Sequence, residues 1–165
     1  MSERITPEEL SLLLRLDDEA GKVFWLKVPW NHSEKYGKEA GNKTPNRGKF
    51  YWVVRIHGKS YKRSHIVFCL KYGRWPVQCI DHMNGDSLDD RSKNIREATT
   101  TQNAWNHKGR AKKSSIPMGV RIGRSGFEAR IGFNKKLIFI GSFGTPEEAS
   151  DAYQVKRKEL YGEFA

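Results

Sequence analysis

The chain has 165 residues and a mass of 19.0 kDa, which allows one domain or two small ones and excludes a large multidomain enzyme. Lys and Arg outnumber Asp and Glu by 30 to 19, and the net charge of +11 favours a polyanionic partner such as nucleic acid. The longest apolar run, residues 66–70, is far shorter than the ~18 residues of a membrane span, and the acidic N-terminus does not resemble a signal peptide. We therefore expect an intracellular protein with no membrane partner.

Cysteine spacing and charge distribution narrow the class further. Cys69 and Cys79 stand in no C-x-x-C arrangement, so the sequence predicts neither a disulfide framework nor a structural zinc. The positive charge is concentrated in residues 41–80, which contain nine Lys or Arg and no acidic residue. Aromatic residues are interleaved with these cations, a composition suited to phosphate and base contacts. We expect a basic face here, with most of the aromatic side chains in a strand core.

The first half of the chain shows alternating helix and strand signals. Thr6-Pro7-Glu8-Glu9 is a capping box followed by leucines at helical spacing, which predicts a helix over residues 7–16. The polar residues 30–49 are predicted to be a loop. Aromatic, β-branched and turn-forming residues predict the remaining elements, which are strands over residues 22–28, 50–56 and 60–63 and a helix over residues 65–72.

A strand, loop, strand and helix follow, over residues 77–107. They gather one carboxylate, one imidazole and two amides: Asp81, His82, Asn94 and Asn103. Asp81 and the Asn103 amide oxygen are ligands that suit a hard divalent cation. A neutral His82 can accept a proton from water near pH 7 if its ring is oriented, which the Asn94 amide could do. On residue chemistry alone, such a pattern is also common in turn-rich proteins that have no site.

Residues 108–115 are rich in Lys, Arg, Gly and Ser, and they predict a basic linker between two domains. Beyond it we expect three short antiparallel strands, over residues 119–122, 127–133 and 137–143. A capping box at Thr145 predicts a final helix that stops at Gly162. The predicted fold class is α+β.

The first domain resembles the HNH endonucleases of phages and mobile introns. The resemblance lies in segments such as Asp81-His82-Met83-Asn84-Gly85-Asp86 and Asn94-Ile95-Arg96-Glu97-Ala98-Thr99, and covers about residues 5–107. The spacing of twelve and then nine residues from His82 through Asn94 to Asn103 is the spacing of that family in its His-Asn-Asn form. Asp90 stands where the family usually has Asn.

This resemblance implies a ββα-metal core at about residues 77–107. Asp81 and Asn103 would bind one divalent metal ion, Mg²⁺ or else Mn²⁺, while His82 would be the general base and Asn94 would position it. His107 is an alternative to Asn103 and would give a His-Asn-His site. The candidate DNA-binding cations in the loop and the linker are Arg91, Lys93, Arg96, Lys108, Arg110, Lys112 and Lys113.

The C-terminal part is similar to the APETALA2-type DNA-binding domain. The segments that carry the similarity, over about residues 114–165, include Gly119-Val120-Arg121, Ile140-Gly141-Ser142-Phe143 and Tyr161-Gly162-Glu163-Phe164-Ala165. The similarity implies a three-stranded sheet plus one helix, with the sheet in the DNA major groove. The candidate contacts are Arg121, Arg124, Arg130 and Lys135.

Together these patterns predict a metal-dependent, homing-type HNH endonuclease that nicks or cuts double-stranded DNA, of a kind that phages encode. Its domains would be residues 1–107, a linker at 108–115 and residues 116–165, and no protein partner is implied. One alternative is a non-catalytic DNA-binding regulator that retains the fold. Another is an RNA-directed nuclease, which only the C-terminal resemblance argues against.

Overall fold

A computed structural model describes residues 4–27, 35–106 and 116–165. It confirms the α+β class, since helices alternate with several small antiparallel sheets. The chain divides into two compact units, Met1–Thr100 and Thr101–Ala165. No helix in the described ranges is long and apolar enough to cross a membrane.

In its described residues, the first unit contains two α-helices and three antiparallel sheets. The sheets pair β1 with β2, β3 with β4 and β5, and β6 with β7. In chain order the elements are α1 (Pro7–Leu13), β1 (Leu14–Asp17), β2 (Lys22–Trp25), β3 (Asn42–Asn46), β4 (Lys49–Ile56), β5 (Lys59–Lys62), α2 (Arg63–Tyr72), β6 (Cys79–His82) and β7 (Ile95–Ala98).

Helix α1 begins as its capping box predicts but ends early. The Thr6 hydroxyl accepts a hydrogen bond from the Glu9 N–H, and the Glu9 carboxylate accepts one from the Thr6 N–H. The predicted end at residue 16 is wrong, because the backbone from Leu14 onward pairs with β2. Leu14 is buried in the core either way, so the leucine spacing fits both a continued helix and this strand.

The prediction of loop over residues 30–49 is wrong for the part that forms β3. This strand has five exposed residues and therefore no hydrophobic alternation to mark it. It exists because its backbone pairs with β4 through the tight turn at Arg47 and Gly48, both at positive φ. Pro45 is tolerated because β3 is an edge strand, where one N–H is not needed.

The core of the first unit lies where α1 and α2 pack on the sheets. Its fully buried side chains come from almost every element, and they include Leu10, Leu14, Val23, Val54, Ile56, Ile66 and Val67. The predicted hairpin of β4 and β5 and the helix α2, which ends at Gly73 with φ of +66°, are both confirmed. Strands β6 and β7 form a separate two-stranded sheet, and their Ile80 and Ile95 are part of this core.

The second unit is a three-stranded sheet covered by one helix, as the sequence predicts. Its elements are β8 (Val120–Gly123), β9 (Gly126–Phe133), β10 (Lys136–Phe143) and α4 (Pro146–Tyr161), with β9 central. Ala129 and Ile131 of β9 pack against Ala149 and Tyr153 of α4. The short helix α3 (Thr100–Trp105) spans the division between the units, and the Trp105 ring stacks on Tyr161 at 4.7 Å. The division thus falls before the predicted boundary at residue 107.

Gly21 in the turn between β1 and β2 should be intolerant of a side chain. Its φ is +65°, and a Cβ atom would lie 2.4 Å from the backbone nitrogen of Arg91. Gly21→Ala should lower the free energy of unfolding by about 2–4 kcal/mol, because left-handed strain of about 1 kcal/mol adds to overpacking of about 1–3 kcal/mol. Gly37→Ala is the control, since Gly37 has φ of +73° in open space and should lose only about 1 kcal/mol. Urea denaturation measures both variants, and equal losses of unfolding free energy in Gly21→Ala and Gly37→Ala would contradict the close approach of Gly21 to Arg91.

Candidate functional site

Hairpin β6–β7 carries the first two candidate residues. Asp81 and His82 are the last residues of β6, and both side chains are buried. The strand ends at His82, whose carbonyl accepts a hydrogen bond from the Gly85 N–H at 2.8 Å in the following turn. Because successive strand residues point to opposite faces, Asp81 and His82 meet different partners.

A buried carboxylate holds the His82 imidazole. The ring nitrogen Nε2 lies 2.9 Å from Oδ1 of Asp90, which is eight residues further along the chain. An ionised carboxylate only accepts hydrogen bonds, so the contact favours the tautomer with the proton on Nε2. The lone pair that can accept a proton is then on Nδ1.

Asp90 is fixed in turn by Arg63, the first residue of α2. Nε of Arg63 donates to Oδ2 of Asp90 at 2.8 Å, while Nη1 donates to Oε1 of Glu39 at 2.7 Å. The guanidinium also lies over the Trp52 ring, 4.5 Å from its centroid. Arg63 and Asp90 are 3% and 2% exposed, so this ion pair is almost fully desolvated. Three side chains, Arg63, Asp90 and His82, therefore form one buried chain of contacts.

Sequence reasoning did not find this arrangement. It noted Asp90 only as a departure from the family pattern, and it did not single out Arg63 from the other cations of residues 41–80. No local signal distinguishes Asp90 from Asp86 and Asp89 in the same loop. The ion pair joins residues 27 positions apart, so it exists only once α2 packs against that loop.

The Asn94 side chain bridges the loop between β6 and β7. Its Oδ1 accepts from the Asn84 N–H at 3.0 Å, and its Nδ2 donates to the Asp89 carbonyl at 2.7 Å. Asn94 thus connects the start of the loop to its end. That Asn94 positions His82 stays a prediction. Asn94 would act through these contacts with the loop that follows His82.

Arg96 of β7 lies directly opposite Asp81. Its Nε and Nη2 both reach Oδ2 of Asp81 at 3.0 Å, so a cation already neutralises this carboxylate. Among the described residues, no three His, Cys, Asp or Glu side chains are grouped so that they could hold a metal ion. A site of one carboxylate and one amide oxygen is a different donor set, and it suits a hard cation that keeps several of its waters.

Several predicted site residues lie in the second unit or outside the described residues. Asn103 lies in α3 within the second unit, whereas Asp81 and His82 lie in the first, so their common site stays a prediction. The other candidates of this group lie outside the described residues, namely His107, Lys108, Arg110, Lys112 and Lys113.

The remaining candidate DNA-binding cations fall into two groups. Arg91 is paired with Asp89, and both Arg121 and Arg130 reach Oε2 of Glu128 at 2.9 Å. The others are exposed and form no ion pair with any described residue: Lys93, Arg124 and Lys135. A phosphate would have to compete with a carboxylate for Arg91, Arg121 and Arg130. It would not have to do so for Lys93, Arg124 and Lys135.

The outward face of the second unit's sheet combines charge with apolar surface. Alternation along β9 directs Glu128 and Arg130 away from α4, and Arg130 lies over the Phe139 ring at 5.6 Å. Leu137 and Phe139 of β10 are both more than half exposed. Exposed apolar side chains beside arginine are suited to a ligand that has both apolar and anionic parts.

Two titratable groups of α2 are uncharged at neutral pH. Burial, together with the nearby Lys62 cation, lowers the pKa of His65 to about 4. Burial also raises the pKa of the Cys69 thiol to about 11, as expected for an inert buried cysteine. Neither group therefore changes charge near pH 7.

Glu97 of β7 fixes residues 74–78 against the hairpin. Its Oε1 accepts from the Val77 N–H at 2.6 Å, and its Oε2 accepts from the Arg74 guanidinium. The hydrogen bond from Arg74 lowers the pKa of Glu97 to about 2. Glu97 is thus ionised throughout the physiological range.

Comparisons with known proteins point to one family. Residues 61–105 match the family model for HNH endonucleases. A protein of Acanthamoeba polyphaga mimivirus named as an uncharacterized HNH endonuclease, L560, is 33% identical over 87 residues, which are 52% of this chain and 44% of that protein. The chain therefore spans less than half the length of this relative. No solved structure matches the chain significantly. The two matches support a nuclease role, and the family match includes Asp81, His82, Asn94 and Asn103.

Removal of Asp90 should be costly because it leaves Nε of the buried Arg63 guanidinium without its acceptor, with only the partly exposed Glu39 carboxylate still paired to the charge. We expect Asp90→Ala to lower the free energy of unfolding by about 3–5 kcal/mol. The double variant Arg63→Met, Asp90→Leu should lose less than Asp90→Ala, since it leaves no unpaired buried charge. Urea denaturation of both variants tests the pair. A double variant less stable than Asp90→Ala would contradict it.

Glu97→Gln should be destabilising in a pH-dependent way. The pKa of Glu97 is lower in the folded chain than in the unfolded one, so its stabilising effect is complete above about pH 4.5 and is lost as the pH falls through about 2. Thermal unfolding should therefore show the variant less stable than the wild type at pH 7, with the gap narrowing over that interval. A gap that is constant from pH 7 to pH 2 would show that the charge of Glu97 is not involved.

Proposed function

We propose that the chain is a metal-dependent endonuclease that hydrolyses phosphodiester bonds in duplex DNA. The main support is the His82 imidazole, which a buried Asp90 fixes within the segment that matches the HNH family. A general base must be held in one tautomer and one orientation if it is to take a proton from an attacking water. Asp90 and Arg63 meet that requirement from the side of Nε2.

In the proposed reaction, His82 takes a proton from water at Nδ1 as the water oxygen bonds to phosphorus. The bond from phosphorus to the 3′ oxygen breaks, and the departing oxygen takes a proton from solvent water, which leaves a 5′-phosphate and a 3′-hydroxyl. The imidazolium that forms is stabilised by Asp90, because Oδ1 accepts from Nε2. Arg63 holds Asp90 in place, because its Nε donates to Oδ2.

Asp81 and Asn103 would hold the divalent ion, with Mg²⁺ favoured over Mn²⁺. When bound, the ion would neutralise charge on the phosphate and on the leaving oxygen. The donor set of a carboxylate and an amide oxygen is consistent with Mg²⁺, which binds through few protein ligands. Arg96 would share Asp81 with the ion, so Arg96 limits the negative charge at this position when no metal is bound.

The C-terminal sheet would recognise DNA, as its APETALA2-type resemblance implies. Its supporting features are the exposed cations Arg124 and Lys135, and the exposed Leu137 and Phe139 on its outward face. Because one chain would have one catalytic site, it would cut one strand per encounter. Cleavage of both strands would then need a second chain or a second binding event.

Loss of the proposed base or metal ligand should abolish cleavage without abolishing binding. With supercoiled plasmid and magnesium, His82→Ala should nick at a rate lower by about 10²–10⁴-fold, the usual contribution of a general base. Asp81→Ala should also be inactive, and chelator should stop the wild type. His57→Asn is the matched control, because His57 lies in an exposed turn at positive φ, which Asn tolerates.

Three results would overturn the proposal. Nicking by purified His82→Ala at the rate of the wild type would exclude His82 as the general base. Nicking by the wild type in excess chelator would exclude a role for a divalent metal ion. If the wild type binds DNA tightly but does not cut it with any divalent metal, the non-catalytic regulator is favoured instead. Such a regulator would retain the pairing of Asp81 with Arg96.

A further inference from the structure

The β3–β4–β5 sheet has one face on the core and one face outward. Val54 and Ile56 of β4 are buried, so the residues of opposite parity project away from the core: Lys49, Tyr51, Val53 and Arg55. The strand register places Lys62 of β5 beside Val53 on the same face. Cations therefore lie along this face from one end of β4 to the other.

One end of this face forms an open depression of about 450 Å³. Its lining is polar, basic and aromatic: Asn46, Arg47, Lys49, Tyr51 and Lys62. Nζ of Lys62 lies 4.2 Å from the centroid of the Tyr51 ring, so a cation and a ring are held together at its wall.

The charges on this face are available to an outside anion. Lys49, Arg55 and Lys62 form no ion pair within the described part of the chain, and residues 41–80 contain no acidic residue. Arg91 and Arg96 near the candidate site differ in this respect, because both are paired with carboxylates. Two of the three cations, Lys49 and Arg55, lie outside the segment that matches the HNH family, and Lys62 lies at its start.

We propose that this face of the β3–β4–β5 sheet binds the phosphate backbone of duplex DNA; this inference rests on the proposed function. The length of the face favours a polyanion over a single small anion. Lys49 and Arg55 are six residues apart on one strand, about 20 Å, whereas each DNA strand carries a phosphate every ~3.4 Å of axis. The side chains are mostly polar, which is unsuited to insertion into a lipid surface.

The test is the salt dependence of DNA binding by the full chain in chelator. The triple variant Lys49→Gln, Arg55→Gln, Lys62→Gln should bind a fluorescein-labelled duplex more weakly in anisotropy titrations. Its slope of log affinity against log salt should be flatter by up to about 2.7, from three contacts at ~0.9 each. The matched control is the triple Gln variant of Lys27, Lys35 and Lys38, which are exposed cations outside the sheet, and it should change the slope by less than ~0.9.

The outcomes separate this inference from the proposed function. If the wild type binds and nicks DNA while both triple variants keep the salt slope of the wild type, the sheet face does not contact DNA. If the wild type neither binds nor nicks DNA, the proposed function fails, and this inference fails with it. Loss of binding to phosphatidylserine vesicles without loss of DNA binding would assign the face to a membrane instead. Should the triple variant fail to fold in a thermal melt, Lys49→Gln and Arg55→Gln alone should each flatten the slope by about 0.9, and unchanged slopes would overturn the inference.

Discussion

The buried ion pair of Arg63 and Asp90 is the interaction on which the rest of the candidate site depends. It joins α2 to the loop between β6 and β7, and through Asp90 it orients the imidazole of His82. Burial of two charges adds little net stability compared with an apolar pair of the same size, although loss of one partner is expensive. Its value is therefore positional, because it holds one ring nitrogen in a fixed direction.

The loop that carries Asp90 is mostly polar, so hydrogen bonds from other elements must hold it. Asn94 bridges it from within, while the turn after β1 holds it from outside. In that turn Asp18 accepts from the Ser92 N–H, and Gly21 allows the two backbones to approach closely. Hydrogen bonds and close backbone packing thus hold this polar loop in place.

Charge pairing separates two kinds of basic surface in this protein. Near the hairpin, arginines are matched with carboxylates, which fixes side chains and reduces the local positive potential. On the outward face of the β3–β4–β5 sheet, cations are unmatched within the described residues. The net charge of +11 shows that the chain as a whole attracts anions. Only the charge pairing shows where on the surface an anion would bind most favourably.

Local signals in the sequence determined most of the elements. The capping box at Thr6, the hairpin that precedes α2 and the alternation of the last three strands each depend on a few neighbouring residues, and the structure confirms them. The tertiary structure alone decided the rest, since it depends on residues far apart in the chain. Strand β3 forms only because β4 supplies its hydrogen bonds, and Asp90 becomes a partner of His82 only when Arg63 is brought against it from 27 residues away. A sequence pattern shows which side chains are present, whereas packing decides which of them lose their water and meet.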